Sequence, residues 1–488
     1  MHGRHMSVAR AWTPARHPDV DTVVVGSGPN GLVAAARLAS AGHRVLVLEA
    51  QDQVGGGTRT EELTLPGFRH DVCSSVHALA LASPAFRALG LEREGLAFAH
   101  PEVPLAHPLD DGVVLQHRDL DETARGLGRD GDAWRRLFGG VAHGVGGLVD
   151  GILDPIRIPR HPLALAAFGA SGLWPATTLS RTVFREEPAR ALFAGLAAHA
   201  ILPLEAPATS AYALLLGGLA HAVGWPVAVG GSQSIADALV ARIEAGGGEV
   251  RTRHRVDSLA DLPSSSNVLL DLTPRQVVQI GGDTLPARYR DRLARFRYGS
   301  GVFKVDWALD GPVPWRDPGT ARAATVHLGG SLTRIAASES AVGRGKHPDE
   351  PYVLLVQASV ADPTRAPVGK HTVWAYCHVP HGSRVDMTER IEAQIERVAP
   401  GFRDRVLARH TMDTAALEAH NANEIGGDIA GGASDWRQLL TRPLLSPRPW
   451  VTPIPGLYLC SSSTPPGGGV HGMCGWLAAA EVLRVQRG

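Results

Sequence analysis

Glycines at a fixed spacing near the N-terminus could bind the phosphates of a dinucleotide. Gly26, Gly28 and Gly31 follow the apolar residues 23–25 with the spacing GxGxxG. Glycine allows a tight turn at the first position, close approach of a pyrophosphate at the second, and close packing of a helix on a strand at the third. Glu49 ends the next apolar run, where a carboxylate can accept hydrogen bonds from ribose hydroxyls.

A strand, a helix and a second strand must position these groups. The β-branched residues 23–25 suit a buried strand. A helix is predicted from about Pro29 to Ala41, with Pro29 and Asn30 in its first turn, where free N–H groups and the helix dipole favour phosphate. The second strand is predicted over Arg44 to Leu48. In this context the GxGxxG spacing indicates a dinucleotide site.

A second glycine turn follows the acid, and it comprises Gly55, Gly56, Gly57, Thr58 and Arg59. Its backbone N–H groups could add to a pyrophosphate site, and the arginine could add positive charge. The alternative is a glycine-rich surface loop. Glu49 alone suits either NAD or FAD, because both dinucleotides have an adenosine ribose with a free 2′-hydroxyl.

The two glycine turns together resemble those of the FAD-dependent oxidoreductases that include amine oxidases and carotenoid desaturases. In that family a glycine pair follows the ribose acid by the same interval and contacts the FAD diphosphate, so the resemblance implies FAD. Amine oxidases usually have an arginine directly after the pair. Here Gly57 occupies that position and the nearest arginine is Arg59, a departure that disfavours the amine-oxidase branch.

The C-terminal residues 456–485 resemble the signature of phytoene-desaturase-like flavoproteins. They contain a predicted strand from Leu457 to Cys460, a glycine-proline turn and an alanine-rich helix. The resemblance implies that the backbone at the end of this turn meets the pyrimidine edge of the flavin, with Gly469, Val470, Gly472 and Met473 as the residues in contact. A helix N-terminus there would stabilise negative charge on the ring.

Two positions in this segment depart from the family pattern. Pro465 replaces a histidine of the turn, and Ser461–Ser463 stand where many flavoproteins place an acidic residue beside the ribityl chain. The hydroxyl of Ser463 is predicted to form the ribityl contact instead.

The middle of the chain supplies a third segment. A helix is predicted from Ser232 to Ala245, followed by a glycine stop and a strand, and residues 267–272 form another apolar run. The resemblance places the backbone of Val256 against adenine. The predicted fold class is therefore α/β, with a Rossmann-like FAD-binding domain of parallel strands and helices assembled from 18–75, 226–290 and 445–488.

The intervening residues are predicted to form an inserted α+β substrate domain from 76–225 and 291–444. The first part is interpreted as helical. The second part contains predicted strands at 297–309, 352–360 and 371–380 and a predicted helix at 387–402. Residues 1–17 are predicted to be a disordered tail.

Lys304 is the first candidate catalytic residue, because it is one of only three lysines among 48 Lys and Arg residues and falls within a predicted strand. A buried ammonium is costly unless it has a partner. In amine oxidases a lysine in a similar strand holds a water at flavin N5, so the resemblance implies that role here. The alternative is a lysine on a solvated strand face that it shares with Asp306.

His471 is the second candidate catalytic residue, since it lies in the turn expected to face the flavin. The alternative is a packing or hydrogen-bonding role. The polar segment from His420 to Asp428 resembles the same region of the pyridine nucleotide-disulphide oxidoreductase domain-containing protein 2 branch. It is expected to close over the flavin, with a simple crossover loop as the alternative.

Composition excludes several classes of protein. The chain has 488 residues, 44% of them hydrophobic, and no formal net charge, so nothing recommends nucleic acid as a partner. Four scattered cysteines without a CxxC pair favour a cytoplasmic protein with neither a metal site nor a redox dithiol. The apolar stretch from Ala208 to Gly224 is interpreted as a buried helix, and peripheral membrane contact is the alternative.

The resemblance implies an FAD-dependent dehydrogenase, desaturase or oxidase. Such an enzyme removes a hydride onto flavin N5 from a small hydrophobic or amphipathic organic substrate, in C–C desaturation or C–N oxidation. Dioxygen, a quinone or another carrier would accept the electrons. The alternatives are an amine oxidase, a redox-neutral isomerase that uses reduced FAD, and a non-catalytic flavin-binding protein.

Overall fold

The computed structural model describes residues 12–15, 18–153 and 162–485, which contain sixteen strands and eighteen α-helices. The strands are β1 Val20–Val25, β2 Val45–Leu48, β3 Thr60–Glu61, β4 His70–Asp71, β5 Phe98–Ala99, β6 Val103–Leu109, β7 Gly112–Gln116, β8 Val227–Ala228, β9 Glu249–Arg251, β10 Ser265–Leu270, β11 Gly301–Leu309, β12 Ala323–Leu328, β13 Val353–Val356, β14 His371–Val379, β15 Val406–Met412 and β16 Leu457–Leu459. The helices are α1 Pro29–Ser40, α2 Ala78–Ala82, α3 Pro84–Leu89, α4 Leu120–Gly126, α5 Gly131–His143, α6 Val145–Leu153, α7 Pro162–Gly172, α8 Ala176–Val183, α9 Glu187–Ala198, α10 Thr209–Ala222, α11 Gln233–Ala245, α12 Pro274–Gly281, α13 Ala287–Leu293, α14 Leu332–Gly343, α15 Thr388–Glu396, α16 Thr414–His420, α17 Trp436–Thr441 and α18 Met473–Val485.

A five-stranded parallel sheet brings the three predicted segments together, in the order β16-β10-β1-β2-β9. Val24 in β1 is opposite Leu269 on one side and Val47 on the other. All three side chains are fully buried, as expected for strands covered on both faces. Helix α1 packs against α11 and α18. The predicted α/β class with a Rossmann-like sheet is confirmed, and the domain boundaries stay a prediction.

The second sheet has the order β15-β11-β14-β13-β12-β6-β7. Neighbouring strands are antiparallel except β12 and β6, which are parallel. The interpretation of 76–225 as helical is therefore incomplete, because β6 and β7 come from this part. Pro104 and Pro108 obscure β6 in the sequence, since proline is rarely found inside a strand.

Several predicted elements are shorter than expected. The strand predicted at 352–360 ends at Val356, and residues 358–360 form a 3₁₀ turn. The helix predicted at 387–402 ends at Glu396. Val256 lies beyond the end of β9 at Arg251, so its backbone belongs to a loop and not to a strand.

Part of the predicted disordered tail is packed. The side chain of Trp12 is buried, and the amide of Ala15 donates to the carbonyl of Ser265 at 3.0 Å. The prediction is wrong for residues 12–15, while 1–11 and 16–17 lie outside the described residues.

Helix α10 forms within the apolar stretch from Ala208 to Gly224. Ala213, Leu214 and Leu219 are buried in it, as the sequence predicts. In the described ranges, no helix has the length and apolar character needed to cross a membrane.

Candidate active site

A cavity of about 970 Å³ receives backbone from all three segments of the parallel sheet. Most of the residues predicted to bind the cofactor line it, namely Gly26, Gly28, Pro29, Asn30, Glu49, Gly56, Gly57, Arg59, Val256, Gly469 and Val470. The cavity also contacts His471. The fold therefore brings together residues that are more than 400 positions apart in the sequence.

The two glycine turns touch each other at one end of the cavity. A Cβ added to Gly56 would lie 3.0 Å from the Cα of Gly28, and one added to Gly28 would lie 2.6 Å from Oδ2 of Asp271. Gly26 has φ +95°, a backbone conformation that favours glycine. Side chains at these positions would fill the space at the N-terminus of α1, where a phosphate is favoured.

Glu49 is fixed at the end of β2 by three donors. Its Oε2 accepts from the amide of Ser27 at 2.9 Å and from the Ser27 hydroxyl at 2.5 Å, and its Oε1 accepts from the amide of Gln51 at 2.9 Å. Ser27 was not singled out from the sequence, although it lies between two motif glycines. This network holds the carboxylate at the cavity wall.

Three of the predicted cofactor residues shape the turns without lining the cavity. The amide of Gly55 donates to the carbonyl of Ser27 at 2.9 Å, and the hydroxyl of Thr58 donates to the carbonyl of Gly55 at 2.8 Å. Gly31 lies against the carbonyl of Gly26, where a Cβ would collide.

The C-terminal turn differs from the prediction in three contacts. The hydroxyl of Ser463 donates to the carbonyl of Gly431 at 2.8 Å, whereas Ser462 lines the cavity. Gly472 has φ +66° and packs against Val33. Met473 is buried, and like Ser463 and Gly472 it is absent from the cavity wall. The direct contacts implied for these three residues are therefore not formed at the cavity surface.

His471 uses both ring nitrogens for bonds to the backbone. Nδ1 accepts from the amide of Met473 at 3.0 Å, so Nε2 carries the proton and donates to the carbonyl of Gly467 at 3.2 Å. Burial lowers the pKa of His471 to about 4, so the ring is neutral near pH 7. The geometry supports the hydrogen-bonding alternative over a role in proton transfer.

Lys304 is buried beneath the cavity wall. Its ammonium pairs with Asp306, a buried carboxylate, and lies 5.2 Å from the ring of Trp374. Trp374 lines the cavity and Lys304 does not. The alternative of a solvated strand face is wrong, because both members of the pair are buried. The structure places Lys304 behind the aromatic wall rather than at the cavity surface.

Asp271 is a cavity residue that the sequence reasoning missed. It follows β10, and its Oδ2 accepts from the amide of Gly31 at 2.9 Å. Burial raises the pKa of Asp271 to about 7, and the negative charge of Glu49 acts in the same direction. The position of this acid directly after an apolar strand was the available signal.

The polar segment from His420 to Glu424 covers the glycine turns. Its residues line the cavity, and Nη1 of Arg59 donates to the carbonyl of His420 at 3.1 Å. Asn423 donates to the carbonyl of Asp271 at 2.9 Å. Burial raises the pKa of Glu424. The segment thus closes over the part of the cavity next to α1.

The opposite part of the cavity is mainly apolar and aromatic. Its wall comes from the residues between the segments of the parallel sheet and includes Leu79, Phe168, Leu215, Leu216, Trp225, Leu354, Val356, Trp374 and Tyr376. The rings of Trp374 and Tyr376 are nearly parallel, with centroids 5.8 Å apart. Such a surface favours an apolar ligand.

Comparison with known proteins agrees with this geometry. Residues 24–89 match the family described as NAD(P)-binding Rossmann-like domain. The chain is 27% identical to pyridine nucleotide-disulfide oxidoreductase domain-containing protein 2 of Rattus norvegicus, over 96% of this chain and 94% of that protein. It is 26% identical to the neurosporene-forming phytoene desaturase of Rhodobacter capsulatus, over 93% of this chain and 91% of that one.

The chain is therefore similar over most of its length to a phytoene desaturase. A solved putrescine oxidase variant shares its fold, with a TM-score of 0.61 and 20% identity over 96% of this chain and 99% of that one. The resemblance predicted from the sequence is confirmed, and so is the general class of oxidoreductase.

Proposed function

We propose that this protein binds FAD in the cavity and removes a hydride from an apolar or amphipathic organic substrate, in C–C desaturation or C–N oxidation. The observation that carries the proposal is the continuity of one cavity. It extends from the glycine turns and Glu49 to the aromatic wall at Trp374 and Tyr376. A dinucleotide held at the first end would direct its ring system toward the second.

The residues present fit FAD. Among the described residues, Asn30 Oδ1, Arg59 Nε and Glu424 Oε2 are buried polar atoms without a hydrogen-bond partner, and all three residues line the cavity. Each such atom costs about 1–3 kcal/mol if it stays unsatisfied. Their placement around the glycine turns supports a polar ligand there.

Each part of the cavity then has a role. The N-terminus of α1 at Gly28 and the second turn at Gly56 would hold the pyrophosphate, and Glu49 would accept from the ribose. The loop at Val256 would cover the adenine, and the turn at Val470 would meet the flavin ring. When bound, FAD supplies hydride acceptance.

The chain itself would orient the substrate and exclude water. Removal of one hydride and one proton from neighbouring atoms leaves a C=C or C=N bond in the product. The apolar wall would keep those atoms dry, which strengthens electrostatic interactions within the cavity. Dioxygen, a quinone or another carrier would then take the two electrons.

Amine oxidation is the second candidate, and the pair formed by Trp374 and Tyr376 favours it. Nearly parallel rings on a cavity wall can contact a cationic or neutral amine. The ammonium of Lys304 lies behind Trp374 and is paired with Asp306, so the ion pair adds no net charge behind this wall.

The two reactions are distinguished by anaerobic mixing of the FAD-loaded protein with phytoene or with putrescine. Loss of visible flavin absorbance with phytoene would support desaturation, and loss with putrescine would support amine oxidation. If the bound FAD is first reduced, rearranged phytoene with no net change in the redox state of the flavin would indicate an isomerase. If FAD binds and a wider set of apolar substrates and amines leaves it oxidised, the protein is a binding protein and the proposed reaction is wrong.

A further inference from the structure

Among the described residues, Arg365 and Arg442 are the arginines with the least exposed side chains, and their surroundings differ. Arg365 pairs with Asp71 at 3.0 Å and with Asp362 at 2.9 Å. Arg442 has an exposed fraction of 2%, and within the described part of the chain no carboxylate lies within ion-pair distance of it. Only Arg442 of the two lines the cavity.

The hydrogen bonds of Arg442 leave its charge uncompensated. Nη2 donates to the carbonyls of Gly431 at 3.4 Å and Gly432 at 3.2 Å, and Nε has no partner among the described residues. Nη1 packs against Gly467, so closely that a Cβ there would collide with it. The guanidinium therefore lies directly under the turn that leads to α18.

The nearest acidic groups are engaged elsewhere. Asp428 accepts from the amides of Gly299 at 2.7 Å and Ala430 at 2.8 Å. Asp435 pairs with Arg297 at 2.6 Å. Tyr212 and Cys474 are the other ionisable neighbours. Burial raises the pKa of both groups, so both are neutral near pH 7.

An isolated buried cation costs several kcal/mol unless an anion accompanies it. Backbone carbonyls offset part of that cost, and an anionic ligand in the cavity can offset the remainder. Guanidinium is suited to this task because its planar donors match a delocalised pair of oxygen or nitrogen acceptors.

We propose that Arg442 is the anion-binding group of this cavity and pairs with a delocalised anion brought by a ligand. The anion has two possible sources. One is the pyrimidine ring of the two-electron-reduced cofactor, and the other is a carboxylate on the substrate. The first source rests on the proposed function, because it requires FAD in the cavity.

Arg442→Gln tests the proposal, since glutamine keeps donors for the carbonyls of Gly431 and Gly432 but has no charge. Arg442→Lys is the matched control that keeps the charge. Both are compared with the wild-type holoenzyme after the FAD content of each has been measured. If the wild-type protein does not retain FAD, the proposed function is contradicted. Binding of a carboxylate ligand can then still be measured through tryptophan fluorescence.

The first arm measures the midpoint potential of the bound cofactor without substrate. If Arg442 pairs with the reduced cofactor, Arg442→Gln destabilises the reduced form at least tenfold relative to the oxidised form. That change equals about 30 mV toward negative potential for a two-electron couple. Arg442→Lys should retain most of the potential.

The second arm measures binding of hexanoate and of hexanamide to the oxidised holoenzyme through the flavin spectrum. If the anion belongs to the substrate, Arg442→Gln weakens hexanoate binding at least tenfold and leaves hexanamide binding unchanged. A variant that folds, holds FAD and changes neither the potential nor hexanoate binding would overturn the proposal. Arg442 would then serve only to tie the loop at Gly431 and Gly432.

Discussion

Asp271 Oδ2 accepts a hydrogen bond from the amide of Gly31 at 2.9 Å. A carboxylate from the end of β10 therefore lies inside the glycine turn between β1 and α1. The same turn is the proposed pyrophosphate site, and Glu49 is the nearby second acid. Two acids and a pyrophosphate in one place repel each other unless a proton is taken up.

We therefore expect FAD affinity to fall as the pH rises through about 7, the pKa to which burial raises Asp271. The protonated acid can donate to a phosphate oxygen, whereas the carboxylate repels it. The loss should approach tenfold per pH unit above the pKa, on the order of 1.4 kcal/mol. Fluorescence titration of the apoprotein with FAD over the neutral range measures it.

Asp271→Asn is the matched variant, because its amide oxygen can still accept from Gly31. Its FAD affinity should be independent of pH in this range and tighter than that of the wild type at alkaline pH. Parallel curves for both proteins would show that Asp271 does not control binding.

The raised pKa of Asp271 also predicts how the stability of the apoprotein depends on pH. The pKa of Asp271 is raised from 3.8 to about 7, so the folded state binds a proton that the unfolded state has lost. This contribution to the free energy of unfolding is fully present below pH 3.8 and disappears as the pH rises to about 7. Urea unfolding should show a smaller decrease over that window for Asp271→Asn than for the wild type.

Gly28→Val should abolish FAD binding while the protein stays folded. A Cβ at this position points at Oδ2 of Asp271, 2.6 Å away, and fills the space at the N-terminus of α1. Gly140→Val is a control in an open position on α5, where no described atom apart from the backbone of its own helix and its chain neighbours lies within 4 Å of the added Cβ. The FAD content after purification and the circular dichroism spectrum measure both effects. Normal FAD content in Gly28→Val would contradict the placement of the pyrophosphate.

Lys304→Met should lower the free energy of unfolding substantially and have only a small effect on the rate at which the cofactor is reduced. The substitution removes the cation from the buried carboxylate of Asp306 and leaves it only the histidines His70 at 3.5 Å and His410 at 3.9 Å, at a cost of about 3–5 kcal/mol. The double variant Lys304→Met with Asp306→Asn should recover much of that free energy of unfolding, as a double-mutant cycle in urea would show. Slower anaerobic reduction with unchanged stability would instead place Lys304 at the reaction.

The sequence predicted the parts of the fold that depend on local pattern. The glycine spacing from Gly26 to Gly31 and the acid at Glu49 identified the first strand, helix and second strand, since all of these signals lie within one short stretch of the chain. The resemblance located Val256 and Val470, which local pattern alone would not have placed near α1.

The other parts of the site could not be predicted, because they depend on contacts between residues that are far apart in the sequence. Asp271 enters the turn at Gly31, 240 positions away in the sequence, only because β10 pairs with β1. From the sequence, Lys304 could face either the flavin or solvent, because the alternation of residues along a strand does not reveal that both faces of β11 are buried. Arg442 stood out in no motif, since its isolation depends on where the carboxylates of Asp428 and Asp435 point.

Titration of the purified apoprotein with FAD tests the central claim most directly. One FAD should bind per chain, with quenched fluorescence and a shifted visible spectrum that Gly28→Val abolishes. A chain that stays colourless in excess FAD, or that binds only NAD(P)H, would contradict an account in which three separated segments hold a flavin against an apolar cavity.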